Sequence, residues 1–259
     1  MSNLLDTLWH LQQQPDSDPA PLFEHAQPSA DEGQALQFQL LDRWLNEGEE
    51  LGGWKIGMTS GESRDALGVG VRPSGFVLKS RIFASGAQLP RSRLFKGGVE
   101  NELCFIVGQA LGDGATPTGA KSAMAGLAPG FEINQKRLPP GSAPGLRIAD
   151  NLSNWGIVCG EPITDAQLSD NLSALQVTLS ELTNTGETEI ESVASDGHMD
   201  PHYESLAILA QRLADFGHSL TPGQQVITGA YGKTPFAPGR FAGDFSLGIG
   251  RAVLELTAD

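Results

Sequence analysis

Apolar residues recur at helical spacing in two stretches near the start of the chain. The first covers residues 4–14 and stops at Pro15, and the second runs from Ser29 to about Glu50. Serine is a favoured N-cap, and the acids that closely follow Ser29 suit the first turn of a helix. Paired glycines at positions 52 and 53 end the second stretch. The pattern therefore predicts a smaller, helical N-terminal portion that covers residues 1–53.

From residue 54 onward the pattern changes to short runs of β-type residues separated by glycine, proline and serine. Dense glycine between short strands is typical of a β-rich fold. One helical stripe interrupts the strands, between Pro201 and Gly217, with its apolar positions at Leu206, Leu209 and Leu213. Residues 54–259 are thus predicted to form a strand-rich α+β core. The predicted strands lie at residues 75–78, 103–108, 130–133, 155–160, 175–182, 225–229 and 251–256.

Charge and composition narrow the class of partner. The chain has 31 acidic and 17 basic residues, which gives a formal net charge of −14. Phosphate binding needs a stripe of basic residues, and its absence from the sequence argues against nucleic acid as a partner. No run approaches the roughly 18–20 apolar residues that a membrane helix needs, and the first residues do not resemble a signal peptide. We therefore expect a cytoplasmic protein without a membrane partner.

The chain has two cysteines, Cys104 and Cys159, and each lies within an apolar run. Free cysteine packs as a small hydrophobic residue, and disulfides are rare in reducing compartments. The sequence therefore predicts two reduced, buried thiols and no disulfide between them.

Three glutamates stand next to apolar runs. In a strand, residues i and i+2 point to the same face, so Glu100 and Glu102 are expected side by side. Two desolvated carboxylates must share a proton, meet a cation or lie at the solvated end of the strand. Glu132 is a lone acid in another apolar run. Together the three suit an all-oxygen site for a hard cation such as Mg²⁺ or Mn²⁺, although solvent-facing acids would have the same spacing.

Lys55, between Trp54 and Ile56, either reaches solvent from a strand end or turns its charge into a pocket. His198 and His202 have the spacing of a zinc site on a helix, but the proline between them argues against such a helix. The sequence has no Gly-x-Ser-x-Gly, P-loop or dinucleotide-binding motif. Serine hydrolases, nucleotide-binding enzymes and classical dehydrogenases are therefore disfavoured.

Six segments, in order, resemble the hydratase and decarboxylase branch of the fumarylacetoacetate-hydrolase superfamily. Residues 54–60 resemble the family's Lys-x-Gly-x-Thr-Ser segment, residues 99–102 its Val-Glu-x-Glu motif, and residues 131–133 its third carboxylate. Residues 73–78 resemble the segment before its active-site lid, and residues 150–154 resemble its Asp-Asn-x-Ser turn. Residues 200–230 resemble its late helix and the strand that follows.

This resemblance implies a fold, a site and an assembly. The fold would be a mixed β-sandwich roll with a smaller helical portion at the N-terminus, and the chain would form homo-oligomers. The ligands of Mg²⁺ or Mn²⁺ would be Glu100, Glu102 and Glu132, and the catalytic residue would be Lys55. Residues that bind the substrate would include Ser80, Arg137 and Asp150.

The activity implied is that of a metal-dependent lyase of aromatic catabolism that acts on a small 2-oxo acid or dienoate. A hydratase would add water to a 2-hydroxy-2,4-dienoate of the 2-oxopent-4-enoate type and give a 4-hydroxy-2-oxo acid. The alternative is a decarboxylase of a 4-oxalocrotonate-like diacid, because Lys79, Arg81 and Lys136 would suit a second carboxylate. Gln135 stands where the family has an aspartate. A third hypothesis is therefore a non-catalytic paralogue or partner subunit that binds metal or a 2-oxo acid.

Overall fold

Two helices open the chain and strands dominate the rest. The computed structural model describes residues 2–18, 26–164 and 171–258. The helices in these ranges are α1 (Ser2–Gln13), α2 (Ala30–Asn46), α3 (Pro117–Ala123), α4 (Pro144–Ala149) and α5 (His202–Ala214). The strands are β1 (Leu51–Ile56), β2 (Ser74–Leu78), β3 (Ile82–Ala84), β4 (Ala87–Pro90), β5 (Gly97–Val107), β6 (Met124–Gln135), β7 (Asn154–Cys159), β8 (Ile163–Thr164), β9 (Gln176–Thr183), β10 (Gly186–Ala194), β11 (Gln225–Pro235), β12 (Gly239–Phe245) and β13 (Gly250–Thr257).

The helices predicted from the sequence are present. A capping box starts α2, in which the Ser29 hydroxyl accepts a hydrogen bond from the Glu32 amide and the Glu32 carboxylate accepts one from the Ser29 amide. The short helices α3 and α4 have seven and six residues and were not predicted, because neither is long enough to show a helical period. No helix in the described part of the chain is both long and apolar enough to cross a membrane.

The strands form two mixed sheets that pack face to face. The larger sheet has the order β2-β1-β11-β5-β6-β7-β3, with β8 beside β6, and the smaller one has the order β10-β9-β12-β13-β4. Between them lies an apolar layer in which Phe131 and Ile133 of β6 belong to the same cluster as Leu179, Phe241 and Leu254 of the smaller sheet. This is the sandwich that the sequence resemblance implies.

The larger sheet is curled into a roll, because β2 at one edge lies beside β7 near the other. Alternation along each strand therefore divides its side chains between the inside and the outside of the roll. The outward side chains Trp54, Phe76 and Phe105 pack in one cluster with apolar residues of α2 and α5. Inside, five strands each contribute one fully buried residue to a second cluster, which we call the apolar floor: Val77, Cys104, Ala128, Ile157 and Ile227.

The two cysteines are not separate thiols, so the prediction made from the sequence is wrong. The structure joins Cys104 and Cys159 in a disulfide, with their Cα atoms 6.5 Å apart. The two residues lie on β5 and β7, and both face the inside of the roll beside β6. Gly130 of β6 has no side chain to separate them, since a Cβ there would lie 3.4 Å from that of Cys104. Strand order, which a single sequence does not specify, brings the two sulfur atoms together.

The N-terminal helices pack directly on the strands. Leu40 and Leu41 of α2 belong to the same cluster as Trp54 and Phe76, and β1 begins at Leu51, just before the predicted boundary at residue 53. A buried ion pair joins the first helix to the core. Asp150 Oδ1 accepts hydrogen bonds from Gln12 of α1 at 3.0 Å and from the Arg137 guanidinium at 2.9 Å.

Replacing Arg137 with Met is expected to lower the free energy of unfolding by about 3–5 kcal/mol, because Asp150 would remain buried without its ionic partner. Urea unfolding measures this change. The control is Lys79→Met, since the Lys79–Glu50 pair at 2.6 Å is exposed on both sides and such pairs contribute at most about 1 kcal/mol. Equal losses in the two variants would contradict the importance of the buried pair.

Candidate metal centre

Three carboxylates meet inside the roll, above the apolar floor. Alternation along β5 turns Glu100 and Glu102 to the inner face, and the register of β5 with β6 places Glu132 directly opposite Glu100. One carboxylate oxygen from each residue can be chosen so that all three lie within 4.8 Å of one another. The side-by-side arrangement predicted for the first pair is present, and β6 adds the third member.

Lys55 reaches this cluster from the far side of the roll. It lies on β1, which β11 and β5 separate from β6 in the sheet, so the contact depends on the curl of the sheet. Its Nζ donates to Glu132 Oε1 at 2.5 Å and to Oε2 at 2.7 Å. Gly75 of β2 makes room for the lysine stem, because a Cβ there would lie 2.7 Å from Lys55 Cγ. The lysine is therefore turned into the roll, and its charge faces an acid.

Uncharged donors hold two of the carboxylates in place. Asn134 Nδ2 donates to Glu132 Oε2 at 3.1 Å, and Asn154 Nδ2 donates to Glu132 Oε1 at 2.7 Å. On β11 the pairing register shifts on both sides of Ala230. Beside this irregularity Gly229 has a φ of +120°, and its amide donates to Glu102 Oε2 at 2.7 Å. A side chain at position 229 would clash with Thr59, so glycine suits this approach of the backbone to the carboxylate.

Burial and mutual repulsion change the proton affinity of the cluster. The pKa of Glu102 is raised well above its ordinary value, first by burial and then by the charges of Glu132 and Glu100. The pKa of Glu100 is raised by burial and by Glu132. Burial alone would lower the pKa of Lys55, but the charges of Glu132 and Glu102 outweigh it and raise that pKa. Lys55 is therefore an ammonium group at neutral pH.

The carboxylates fit a hard divalent cation. Three of them share one buried lysine, so negative charge exceeds positive charge at the closed end of the roll. Within the described part of the chain, no donor hydrogen-bonds to the Glu100 carboxylate, and Gly229 is the one donor to Glu102. Their remaining oxygen lone pairs are the ligands that Mg²⁺ prefers. Glu100, Glu102 and Glu132 would hold the ion.

A cavity of about 540 Å³ opens from the carboxylates toward solvent. Three exposed cations line its outer part, namely Lys136, Arg147 and Lys233, and none forms an ion pair with a carboxylate of the described residues. Two of them lie close enough to Glu100 to lower its pKa, against the effect of burial. The cavity is thus acidic at its base and basic at its rim, an arrangement suited to a metal ion below and an anionic ligand above.

A left-handed turn forms one wall of the cavity. Asn151, Leu152 and Ser153 have φ values of 57°, 50° and 65°, and each such residue costs roughly 1–2 kcal/mol. Two hydrogen bonds between the Asn151 side chain and the backbone of Phe76 on β2, at 2.7 and 2.9 Å, offset part of this strain. The turn presents Leu152 and Ser153 to the cavity. Strain held in this way is typical of functional sites.

The residues predicted to bind substrate do not line the cavity. Ser80 is exposed, and its hydroxyl donates to Glu49 at 2.6 Å. Arg137 and Asp150 are buried in their own ion pair, and Arg137 also donates to the carbonyl oxygens of Asp150 and Asn154. These two residues support the left-handed turn from behind. Their positions in the sequence place Arg137 and Asp150 near the site. The ion pair between them, however, turns their side chains toward each other and not toward the cavity.

Two of the three cations proposed for a second substrate carboxylate do not line the cavity. Lys79 pairs with Glu50 outside the cavity, and the Arg81 guanidinium lies over the rings of Trp44 and Trp155 at 4.9 and 5.4 Å. Lys136 is the member of the predicted trio that lines the cavity. Arg147 and Lys233 were not predicted from the sequence. Lys233 pairs with Glu100 in the register of β11 and β5, but this pairing follows from the order of strands, which the sequence alone does not give.

A chain of hydrogen bonds supports β11 behind the site. His202 Nδ1 contacts the Thr228 hydroxyl at 2.8 Å, and His202 Nε2 contacts the Tyr231 hydroxyl at 2.7 Å. Tyr231 in turn donates to Ser195 at 3.3 Å. Burial lowers the pKa of His202 to about 4, so the ring is neutral at pH 7. The neutral imidazole therefore serves a structural role, since it connects α5 to β11, the strand that carries Gly229.

No protein-family model matches the chain, but curated relatives do. The chain is 28% identical over 246 residues to the 2-hydroxyhexa-2,4-dienoate hydratase of Comamonas testosteroni, a match that covers 92% of this chain and 90% of the hydratase. It is 26% identical over 204 residues to a 4-oxalocrotonate decarboxylase of a Pseudomonas species, covering 77% of this chain and 75% of the decarboxylase. Both relatives are lyases.

A solved structure has the same architecture. The 4-oxalocrotonate decarboxylase from Pseudomonas putida G7, complexed with magnesium and adipate, superposes with a TM-score of 0.79 and covers 97% of each chain. The two sequences are 20% identical in that alignment, so the likeness concerns the fold. It confirms the predicted α+β fold with a mixed β-sandwich roll.

Acidification is expected to destabilise the protein through His202. The folded state depresses the pKa of this histidine to about 4, from about 6.5 in an unfolded chain, so the unfolded state binds more protons between these values. The stabilising contribution is complete above pH 6.5 and is lost as the pH falls toward 4, by about 3 kcal/mol in all. Urea unfolding of the wild type and of His202→Gln between pH 7 and pH 4 isolates this contribution.

The expected result is a steeper pH dependence in the wild type than in His202→Gln. His10→Gln, a change at an exposed histidine, should keep the wild-type slope. Nuclear magnetic resonance titration of the His202 ring gives its pKa directly in the wild type. A value near 6.5 would contradict the prediction.

Proposed function

We propose that this chain, a relative of the hydratases and decarboxylases of the fumarylacetoacetate-hydrolase superfamily, is a metal-dependent hydratase. Its substrate would be a 2-hydroxy-2,4-dienoate of the 2-oxopent-4-enoate type, and its product a 4-hydroxy-2-oxo acid. The observation that carries the proposal is the meeting of Glu100, Glu102 and Glu132 with Lys55 at the base of one cavity. The sequence relationship to hydratases over most of the chain supports it.

The cofactor of this proposal is Mg²⁺ or Mn²⁺, since an all-carboxylate ligand set suits hard cations. When bound, the ion supplies a positive charge that stabilises negative charge on the 2-oxygen of the substrate. Magnesium is present in the solved decarboxylase of the same fold. The acidic base of the cavity would hold the ion, and the left-handed turn with Leu152 would form the wall against the substrate chain.

The reaction adds one water molecule to the dienol. Ketonisation moves the proton of the 2-hydroxyl to C5 and leaves a C3=C4 bond conjugated with the ketone. Water then adds its oxygen to C4 and its proton to C3, which gives the 4-hydroxy-2-oxo acid. Each step needs a group that gives or takes a proton near the metal centre, and Lys55 is the titratable cation next to the carboxylates.

Before metal binds, Lys55 is an ammonium group, because the surrounding carboxylates raise its pKa. In that form it has two roles that agree with its charge, to pair with the substrate carboxylate and to donate a proton. The buried Gly229 amide and the two asparagines, Asn134 and Asn154, would keep the carboxylates oriented while the substrate changes its charge distribution.

A second candidate function is decarboxylation of a 4-oxalocrotonate-like diacid. The observation that favours it is the group of three rim cations, Lys136, Arg147 and Lys233, which form no ion pair with a carboxylate of the described residues and would suit a second substrate carboxylate. The solved decarboxylase of this fold was complexed with adipate, itself a diacid. In this reaction the bond from C5 to the departing carboxylate breaks, its electron pair passes into the dienol system, and CO₂ leaves.

Hydration is tested by the ultraviolet absorbance of fresh 2-hydroxypenta-2,4-dienoate. We expect the protein to remove the dienol signal in the presence of Mg²⁺ or Mn²⁺, and Glu100→Gln to lower kcat/KM by about 100-fold or more, because a lost ligand removes several kcal/mol of charge stabilisation. The control is Glu62→Gln, an exposed acid of the same cavity outside the cluster, which should keep the activity. No metal-dependent loss of signal from any dienoate would contradict the proposal.

The rim is tested by comparing a monoacid and a diacid substrate. Arg147→Met is expected to lower kcat/KM for a diacid by about tenfold, the loss of one exposed charge-assisted contact, and to leave a monoacid unchanged. The control is Lys79→Met, which removes a cation outside the cavity. CO₂ release from 4-oxalocrotonate measures decarboxylation itself. Absence of release, with equal effects of Arg147→Met on both substrates, would remove the second candidate.

A further inference from the structure

Glu132 differs from the other two carboxylates in having no lone pair to spare. A carboxylate has two oxygens with about four acceptor positions. On Glu132, Oε1 accepts from Lys55 at 2.5 Å and from Asn154 at 2.7 Å, while Oε2 accepts from Lys55 at 2.7 Å and from Asn134 at 3.1 Å. All four positions are therefore occupied by donors.

A divalent cation needs at least one of these positions. Glu100 and Glu102 have lone pairs available, as described above, but Glu132 becomes a ligand only if one of its donors leaves. The two asparagines lie at β6 and at the start of β7, where the backbone is fixed by strand pairing. Lys55 is the mobile donor, because its charged end is attached by four rotatable bonds. It is also the donor that a cation would repel.

The stem of Lys55 limits how far this movement goes. The Cγ and Cδ atoms lie over Gly75, within 2.7 and 3.0 Å of where a Cβ would stand. Release is therefore a movement of the ammonium end alone. Lys55 lines the cavity, as does Asn134, whose Oδ1 is buried without a hydrogen-bond partner among the described residues. The ammonium has both the substrate space and this unused acceptor within the same cavity.

We propose that Lys55 is an internal counter-cation of Glu132, and that a divalent metal ion displaces its ammonium from at least one Glu132 oxygen. The displaced ammonium then faces the cavity, where it pairs with the carboxylate of the incoming 2-oxo acid. Metal binding thus prepares the anion site, and metal binds before substrate. This inference rests on the metal centre of the proposed function and goes beyond it, because it assigns Lys55 one partner before the ion enters and another afterwards.

Calorimetric titration with Mg²⁺ tests the exchange without turnover. We expect Lys55→Met to bind Mg²⁺ at least about tenfold more tightly than the wild type, because the competitor for Glu132 is gone. The matched control is Lys233→Met, which removes an equal charge opposite Glu100 but no hydrogen bond to Glu132. That variant should change the affinity by about twofold, as expected for an exposed, solvent-screened charge. Equal gains in the two variants would overturn the exchange.

A spectroscopic measurement follows Lys55 in the folded wild type. In protein labelled with ¹⁵N-lysine, the Lys55 Nζ signal should be protected from solvent exchange by its two hydrogen bonds, and Lys55→Arg identifies it by its disappearance. Addition of Mg²⁺ is expected to remove the protection. A protected signal that persists while Mg²⁺ binds would overturn the proposal, as would failure of both the wild type and Lys55→Met to bind Mg²⁺. Loss of protection without turnover of any dienoate would contradict only the proposed function.

Discussion

The buried contact between Lys55 and Glu132 is the interaction on which the rest of the site depends. The lysine side chain is 9% exposed and the glutamate is fully buried, so each charge depends mainly on the other for its stabilisation. The pair also crosses the roll, since its members come from β1 and β6. Without this pair, three carboxylates would lie above the apolar floor with no buried positive charge beside them. Protonation would then be the main way to reduce their mutual repulsion. The same ion pair therefore offsets the negative charge of the carboxylates and joins β1 to β6 across the roll.

Several local features become intelligible once this pair is fixed. Gly75 has no side chain because the lysine stem lies where a Cβ would stand, and Gly229 brings a backbone amide to Glu102 at a φ that other residues rarely adopt. The strained turn at residues 151–153 leads into Asn154, which donates to Glu132. The buried Arg137–Asp150 pair stabilises that turn from the other side. Stabilisation of the framework offsets strain at the site.

The polarity of the cavity links this arrangement to its relatives. Carboxylates at the base suit a cation, and the exposed cations at the rim, among them Arg147, suit an anion. The relatives include a hydratase and a decarboxylase, and under the proposed function a 2-oxo acid would place its chelating end at the base of the cavity and its tail at the rim. In that proposal the base of the cavity would serve both reactions, and the rim would distinguish a diacid from a monoacid.

By itself the sequence determined the features that depend on local periodicity. Alternation placed Glu100 and Glu102 on one face of β5, the cap at Ser29 started α2, and the apolar stripe after Pro201 marked α5. Only the tertiary structure decided which faces meet. Strand order paired Cys104 with Cys159, an ion pair turned Arg137 away from the cavity, and Glu49 accepted the hydroxyl of Ser80. The physical reason is that periodicity fixes the direction of a side chain relative to its own backbone, whereas contacts across the roll depend on the order and curl of strands far apart in the chain.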